Sequence, residues 1–88
     1  MTTYRRADGV LAEILDDKAM LVAPDGSELI TLNLTGTAVW ESLADSGDPV
    51  AVAAQLHEQR PDVGLDRLEA DVRAFLAELE AAGLVVTE

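Results

Sequence analysis

Eighty-eight residues leave room for one small domain, here taken as a single unit over residues 1–88. Seventeen Asp and Glu against six Lys and Arg give a formal net charge of −11, which opposes the counterion-releasing attraction that nucleic-acid backbones and anionic membranes depend on. No cysteine is present, which excludes disulfides, thiolate metal sites and cysteine nucleophiles, while 49% hydrophobic residues supply enough apolar material for a core.

In chain order, the residues through Arg6 are short and polar, and the Arg5-Arg6 pair is not followed by an apolar export segment. The longest apolar runs, such as residues 19–24, are far too short to cross a bilayer, so a cytoplasmic location is expected. Val10, Leu11, Ala12, Ile14 and Leu15 then form an apolar stretch, interrupted by Glu13 and ended by Asp16-Asp17. Residues 19–23 make a second short run, stopped at Pro24-Asp25-Gly26-Ser27, where Pro presets a turn dihedral and Gly supplies positive φ. Leu29, Ile30, Thr31 and Leu32 return as a third strand, rich in branched residues. Short turns between these runs predict an antiparallel three-stranded meander.

From Thr35 the period changes to that of a helix. Thr35 is the expected N-cap of a helix over residues 35–45, with Val39, Trp40 and Leu43 on one face. Ser46-Gly47-Asp48-Pro49 ends it and starts the next: Asp48 caps, and Pro49 fits the first helical position, where its missing N–H is no loss. Val52, Ala53 and Leu56 give this second helix a buried stripe up to about Arg60. A third helix over residues 65–82 carries Leu65, Leu68, Val72, Phe75, Leu76 and Leu79 on one apolar stripe. Gly83 is placed for a left-handed stop, with Leu84 folding back on Leu79 and Val85-Val86 as a short extended tail. Strands followed by helices make this an α+β chain.

Both outer strands of such a meander are edges. The first is blunted by Glu13 and the two aspartates, but the third has no Lys or Pro between Leu29 and Leu32. An undefended edge is either covered by the protein's own helix or kept for a partner strand. Proline at Ile30 is expected to remove an edge donor.

No catalytic constellation emerges. Trp40 reads as a core anchor between Val39 and Leu43, and His57, the single histidine, as a surface residue without a second ligand for a metal. Ser27, Ser42 and Ser46 lie in no nucleophile turn, and the abundant carboxylates show no calcium-loop spacing. No cofactor or metal is expected, and no enzymatic activity. On the third helix, Ala70, Ala74, Ala77 and Ala81 recur opposite the core stripe. Arg67, Asp71 and Glu78 lie on one flank; Asp66, Glu69, Arg73 and Glu80 lie on the other. That face is either a plain solvated surface or a shallow wall that lets another backbone approach, rimmed by selecting charges.

The run Leu32-Asn33-Leu34-Thr35-Gly36-Thr37-Ala38-Val39-Trp40-Glu41-Ser42-Leu43 resembles the strand-to-helix signature of the PqqD-like family. Residues 69–79, followed by Ala82-Gly83-Leu84, resemble that family's closing helix, and the two motifs with their spacing span residues 29–85. The resemblance implies a winged-helix-like fold of three strands and three helices. It also implies a recognition element of ribosomally made, post-translationally modified peptide pathways. Such proteins bind the leader of a precursor peptide as an added strand on the third strand, against the third helix, and present it to a modifying enzyme. Carried onto this chain, it puts Leu29, Ile30, Thr31 and Leu32 on the pairing edge and Arg67, Ala70, Asp71, Ala74 and Glu78 on the helical wall. Should the other flank face the groove, Asp66, Arg73 and Ala77 replace some of these. The excess of acid points to a leader carrying Lys or Arg.

Among such proteins, a free-standing chain resembles the recognition protein of a lasso-peptide pathway, whose partner is a separate leader peptidase. The cofactor-pathway member that works with a radical enzyme is the competing assignment. A winged-helix DNA binder fits the fold but not the charge, since its recognition helix would carry more acid than base.

Overall fold

Asp16 and Asp17 both adopt left-handed backbone, with φ of 52° and 67°. Two consecutive positive-φ residues make the tight turn that matches strand twist, and Asp tolerates the conformation better than most residues. In the computed structural model, which describes residues 2–87, this turn joins β2 (Leu11–Leu15) to β3 (Lys18–Val22), with Leu15 opposite Lys18. β1 is Tyr4–Arg6. The segment after β3 turns at Gly26, φ 76°, and Asp25 accepts hydrogen bonds from the Ser27 hydroxyl (2.6 Å) and N–H (3.0 Å). Those two bonds favour the ionised form and hold the Asp25 carboxyl below the usual aspartate value. The chain returns as β4 (Leu29–Thr31), antiparallel to β3 with Leu21 opposite Ile30. The sheet order β2-β3-β4 is the predicted meander.

Period-two alternation decides what this sheet buries. Ala19, Leu21 and Ala23 of the central strand and its flank are at most 5% exposed, and Leu32 is 3% exposed; Ile30 is half-buried against them. Every residue of β2 is exposed, so β2 is an outer strand and only β3 of this hairpin enters the core.

The first helix, α1 (Leu34–Ser42), begins one residue earlier than the expected 35. Its cap is Asn33, not Thr35: the Asn33 Oδ1 accepts from the Gly36 N–H at 2.8 Å. It also ends sooner than 45, because residues 44 and 45 close with i→i−3 bonds (Ala44 N to Glu41 O, Asp45 N to Ser42 O) that tighten the last turn. Thr37, 2% exposed, ties this helix to the sheet. Its Oγ1 accepts from the Ala19 N–H at 2.8 Å, while the Ala19 carbonyl accepts from Leu32 N, so helix and sheet share this last rung. Thr37→Val keeps the shape but strands that buried N–H. We expect a loss of about 1–3 kcal/mol in urea denaturation; an unchanged midpoint would show that the bond contributes nothing.

α2 (Pro49–Gln59) starts as read from the sequence, with Asp48 accepting from Val50 N at 3.0 Å and Pro49 in the first position. His57 is not a surface residue: it is half-buried, with Nδ1 donating to the Val63 carbonyl at 3.0 Å across the α2–α3 loop. α3 (Leu65–Ala81) packs against α2 through Leu68, Val72, Leu76 and Leu79, all 6% exposed or less. Leu65 falls off that stripe and is 43% exposed. The helix ends in paired bonds from Leu84 N to Leu79 O (2.9 Å) and Gly83 N to Glu80 O (3.0 Å), with Gly83 at φ 78°. Leu84 and Leu79 close the core at this end.

Beyond the sequence-level outline, the chain ends meet. β5 (Val85–Thr87) pairs antiparallel with β1, and Tyr4 N donates to Gly47 O at 2.8 Å. Arg6 lies 4.8 Å from the centre of the Trp40 ring and donates through Nη2 to the Trp40 carbonyl at 2.7 Å. Trp40, 3% exposed, is the core anchor expected of it. No described helix is long and apolar enough to cross a membrane.

Candidate binding groove

β4 is an edge strand: among the described residues, nothing pairs with its outer side. Which of its groups point outward follows from the flanking bonds. Ala23 N donates to Glu28 O (3.0 Å) and Leu32 N donates to Ala19 O (2.8 Å). Antiparallel pairs alternate between bonded and non-bonded, so Glu28, Ile30 and Leu32 direct their main-chain groups toward β3. Leu29 and Thr31 direct theirs outward. The expectation that proline at Ile30 removes an edge donor is therefore wrong by one residue: that N–H belongs to the internal ladder.

Across from this edge stands α3, and a cavity of about 390 Å³ lies between them. Its lining combines Ile30, Thr31 and Leu32 from the β4 segment, Asn33, Thr35, Gly36 and Val39 from the start of α1, Leu56 from α2, and Leu68, Asp71, Val72, Phe75 and Glu78 from α3. The floor is apolar and the rim is polar, the usual arrangement of a binding cleft. Gly36 is what allows the Phe75 ring to settle here. A Cβ at Gly36 would come within 3.1 Å of the ring, which would have to give by a few tenths of an ångström.

Of the sequence-level candidates, Ile30, Thr31, Leu32, Asp71 and Glu78 line this cavity. Leu29 sits on the same edge, 63% exposed. Arg67 lines the neighbouring cleft instead and approaches Asp71 at 3.9 Å, both side chains well exposed, which makes it a weak contact. Ala70 and Ala74 line neither cavity and are exposed. Each helical step turns roughly 100°, so they lie roughly 40–80° further round than Glu78, past the wall. Asp66, Arg73 and Ala77 of the opposite flank are absent from the lining as well.

The chief omission is Phe75, which the sequence reading placed wholly in the core and which is half-buried on the groove floor. The available signal was the spacing of Leu68, Asp71, Phe75 and Glu78, which puts the four on one face beside the core stripe.

A second, wider cleft of about 1110 Å³ adjoins the first and shares Thr35, Leu56, Leu68 and Asp71 with it. Asp17, Glu41, Asp45, Glu58 and Asp62 line it, against Arg60 and Arg67. Among the described residues no group of three or more His, Asp or Glu is arranged to hold a metal ion.

Comparison with known proteins bears on this geometry. Residues 18–85 match the family model described as coenzyme PQQ synthesis protein D (PqqD). Among solved structures, the chain is similar to TbiB1 in complex with the TbiA(beta) leader peptide, at 22% identity over 92% of this chain and 93% of that one, TM-score 0.84. It is likewise similar to a lasso peptide synthetase B1 complexed with the leader peptide, at 23% identity over 96% and 98%, TM-score 0.81. At these identities the likeness is one of fold. No match is found among curated proteins.

Proposed function

This chain belongs to the PqqD family, and from that premise we propose that it is a non-catalytic peptide-recognition domain spanning residues 1–88. In this reading it binds the leader of a ribosomally made precursor in the β4–α3 groove and delivers it to a separate processing enzyme in the cytoplasm. The observation that carries the reading is the vacant outer edge of β4 beside an apolar cavity. Two solved proteins of the same fold are complexes with leader peptides, one of them a lasso peptide synthetase B1, which supports a lasso-peptide pathway; the recipient in this reading is a leader peptidase.

Strand addition requires no catalytic group. Leu29 and Thr31 each offer one N–H and one C=O, so an incoming strand gains at most four main-chain bonds, about 1 kcal/mol net each. Micromolar affinity needs about 8 kcal/mol. Burial of a large apolar side chain adds about 1.5–3 kcal/mol, so the cavity and the charges at its rim must supply the rest and all of the sequence choice.

A second reading has its own support in the family description, coenzyme PQQ synthesis: peptide capture for a radical enzyme of cofactor assembly. The same groove serves both, and the precursor encoded beside this chain separates them. Calorimetric titration with that precursor's leader should show saturable one-to-one binding. No heat at high micromolar concentration would contradict both readings. DNA binding is disfavoured, since α3 carries Asp66, Glu69, Asp71, Glu78 and Glu80 against Arg67 and Arg73.

A further inference from the structure

Resting on the peptide reading of the β4–α3 groove, we infer that the groove selects a segment in which one large apolar residue is bracketed by basic residues, and that Asp71 and Glu78 make this choice. Asp71, Phe75 and Glu78 follow one another at i, i+4 and i+7, so the two carboxylates flank the aromatic floor on a single helix face. Neither Lys nor Arg lines this cavity. Glu78 has no ion-pair partner among the described residues, and Asp71 has only the loose, exposed contact with Arg67. A bound acidic segment would therefore face two carboxylates with nothing of opposite sign in the lining.

The spacing suits an extended chain. Seven residues of helix set Asp71 and Glu78 about 10.5 Å apart along the helix axis. In an extended peptide, side chains on one face recur about every 6.7 Å. Basic residues two positions before and two after an apolar anchor thus stand about 13 Å apart. The flexible stems of Lys and Arg close the remaining gap while packing on the rim. Beyond Asp71 the groove opens into the wider cleft, where five further carboxylates outnumber two guanidinium groups, so the same sign of charge continues at that end.

The test uses a display library of nine-residue peptides with Leu fixed at the centre and all other positions random. It is selected in parallel on the wild-type chain, on an Asp71→Lys/Glu78→Lys double variant, and on Thr31→Pro. Both carboxylates are exposed, and the circular-dichroism spectrum of the double variant serves as the fold control. Lys and Arg should be enriched at least tenfold over Asp and Glu two positions either side of the centre on the wild-type chain. That bias should reverse on the double variant. Equal enrichment of acidic and basic residues on the wild type, with capture still lost on Thr31→Pro, would overturn the charge selection and leave the groove reading standing. Failure of the wild-type chain to capture any peptide would overturn both.

Discussion

Thr31→Pro should weaken leader binding between about 5- and 150-fold while leaving the fold intact. The size follows from one lost main-chain bond plus a peptide carbonyl left without its partner in the complex, together about 1–3 kcal/mol. The fold survives because the Thr31 N–H points away from β3. Proline is tolerated on an edge whose N–H faces outward, and the residue before it, Ile30, is already extended. Ile30→Pro is the internal control. It removes a ladder bond to β3 and should lower stability and binding together. Equal affinity of wild type and a folded Thr31→Pro would remove strand addition from the account.

The second large effect is on stability and lies away from the groove. A Cβ at Gly47 would overlap the carbonyl oxygen of Tyr4, so Gly47→Ala must displace β1. The Tyr4–Gly47 bond breaks, and the pairing of β1 with β5 and the Arg6 contacts on Trp40 loosen with it. Overpacking of this kind costs about 1–3 kcal/mol, and each kcal/mol lowers Tm by roughly 4–8 °C in a domain of this size. Below the transition, leader affinity should be unchanged, because neither Gly47 nor β1 lines the groove. An unshifted Tm would mean that the N-terminal strand is not held as described.

These residues also show where sequence reading succeeds and where it stops. Local chemistry was legible: alternation in β3, the Asp48-Pro49 start, the Gly83 stop and the buried stripe of α3 all follow from residues a few positions apart. Pairing of the chain ends was not. Tyr4-Arg5-Arg6 is polar and short, and its partner strand lies some eighty residues away; its contacts with Gly47 and Trp40 are also remote in sequence. The α1 cap lies two residues before the expected one because Asn33 and Thr35 are both good caps and the bond to Gly36 decides between them.

At the groove, the strand was legible but its parity was not, since the inward or outward sense of Leu29, Ile30 and Thr31 depends on the register across the Ala23–Glu28 turn. On α3 the alanine stripe lies outside the lining of the cavity beside β4. A groove wall borders the core stripe rather than opposing it, so one aromatic, Phe75, belongs partly to each.

Backbone amide hydrogen exchange, followed residue by residue with and without saturating leader peptide, tests the central claim most directly. The Leu29 and Thr31 amides, exchanging freely in the unbound protein, should slow markedly on binding, while that of Ile30, already bonded to β3, changes little. Saturation of the protein with no added protection at Leu29 and Thr31 would contradict the account.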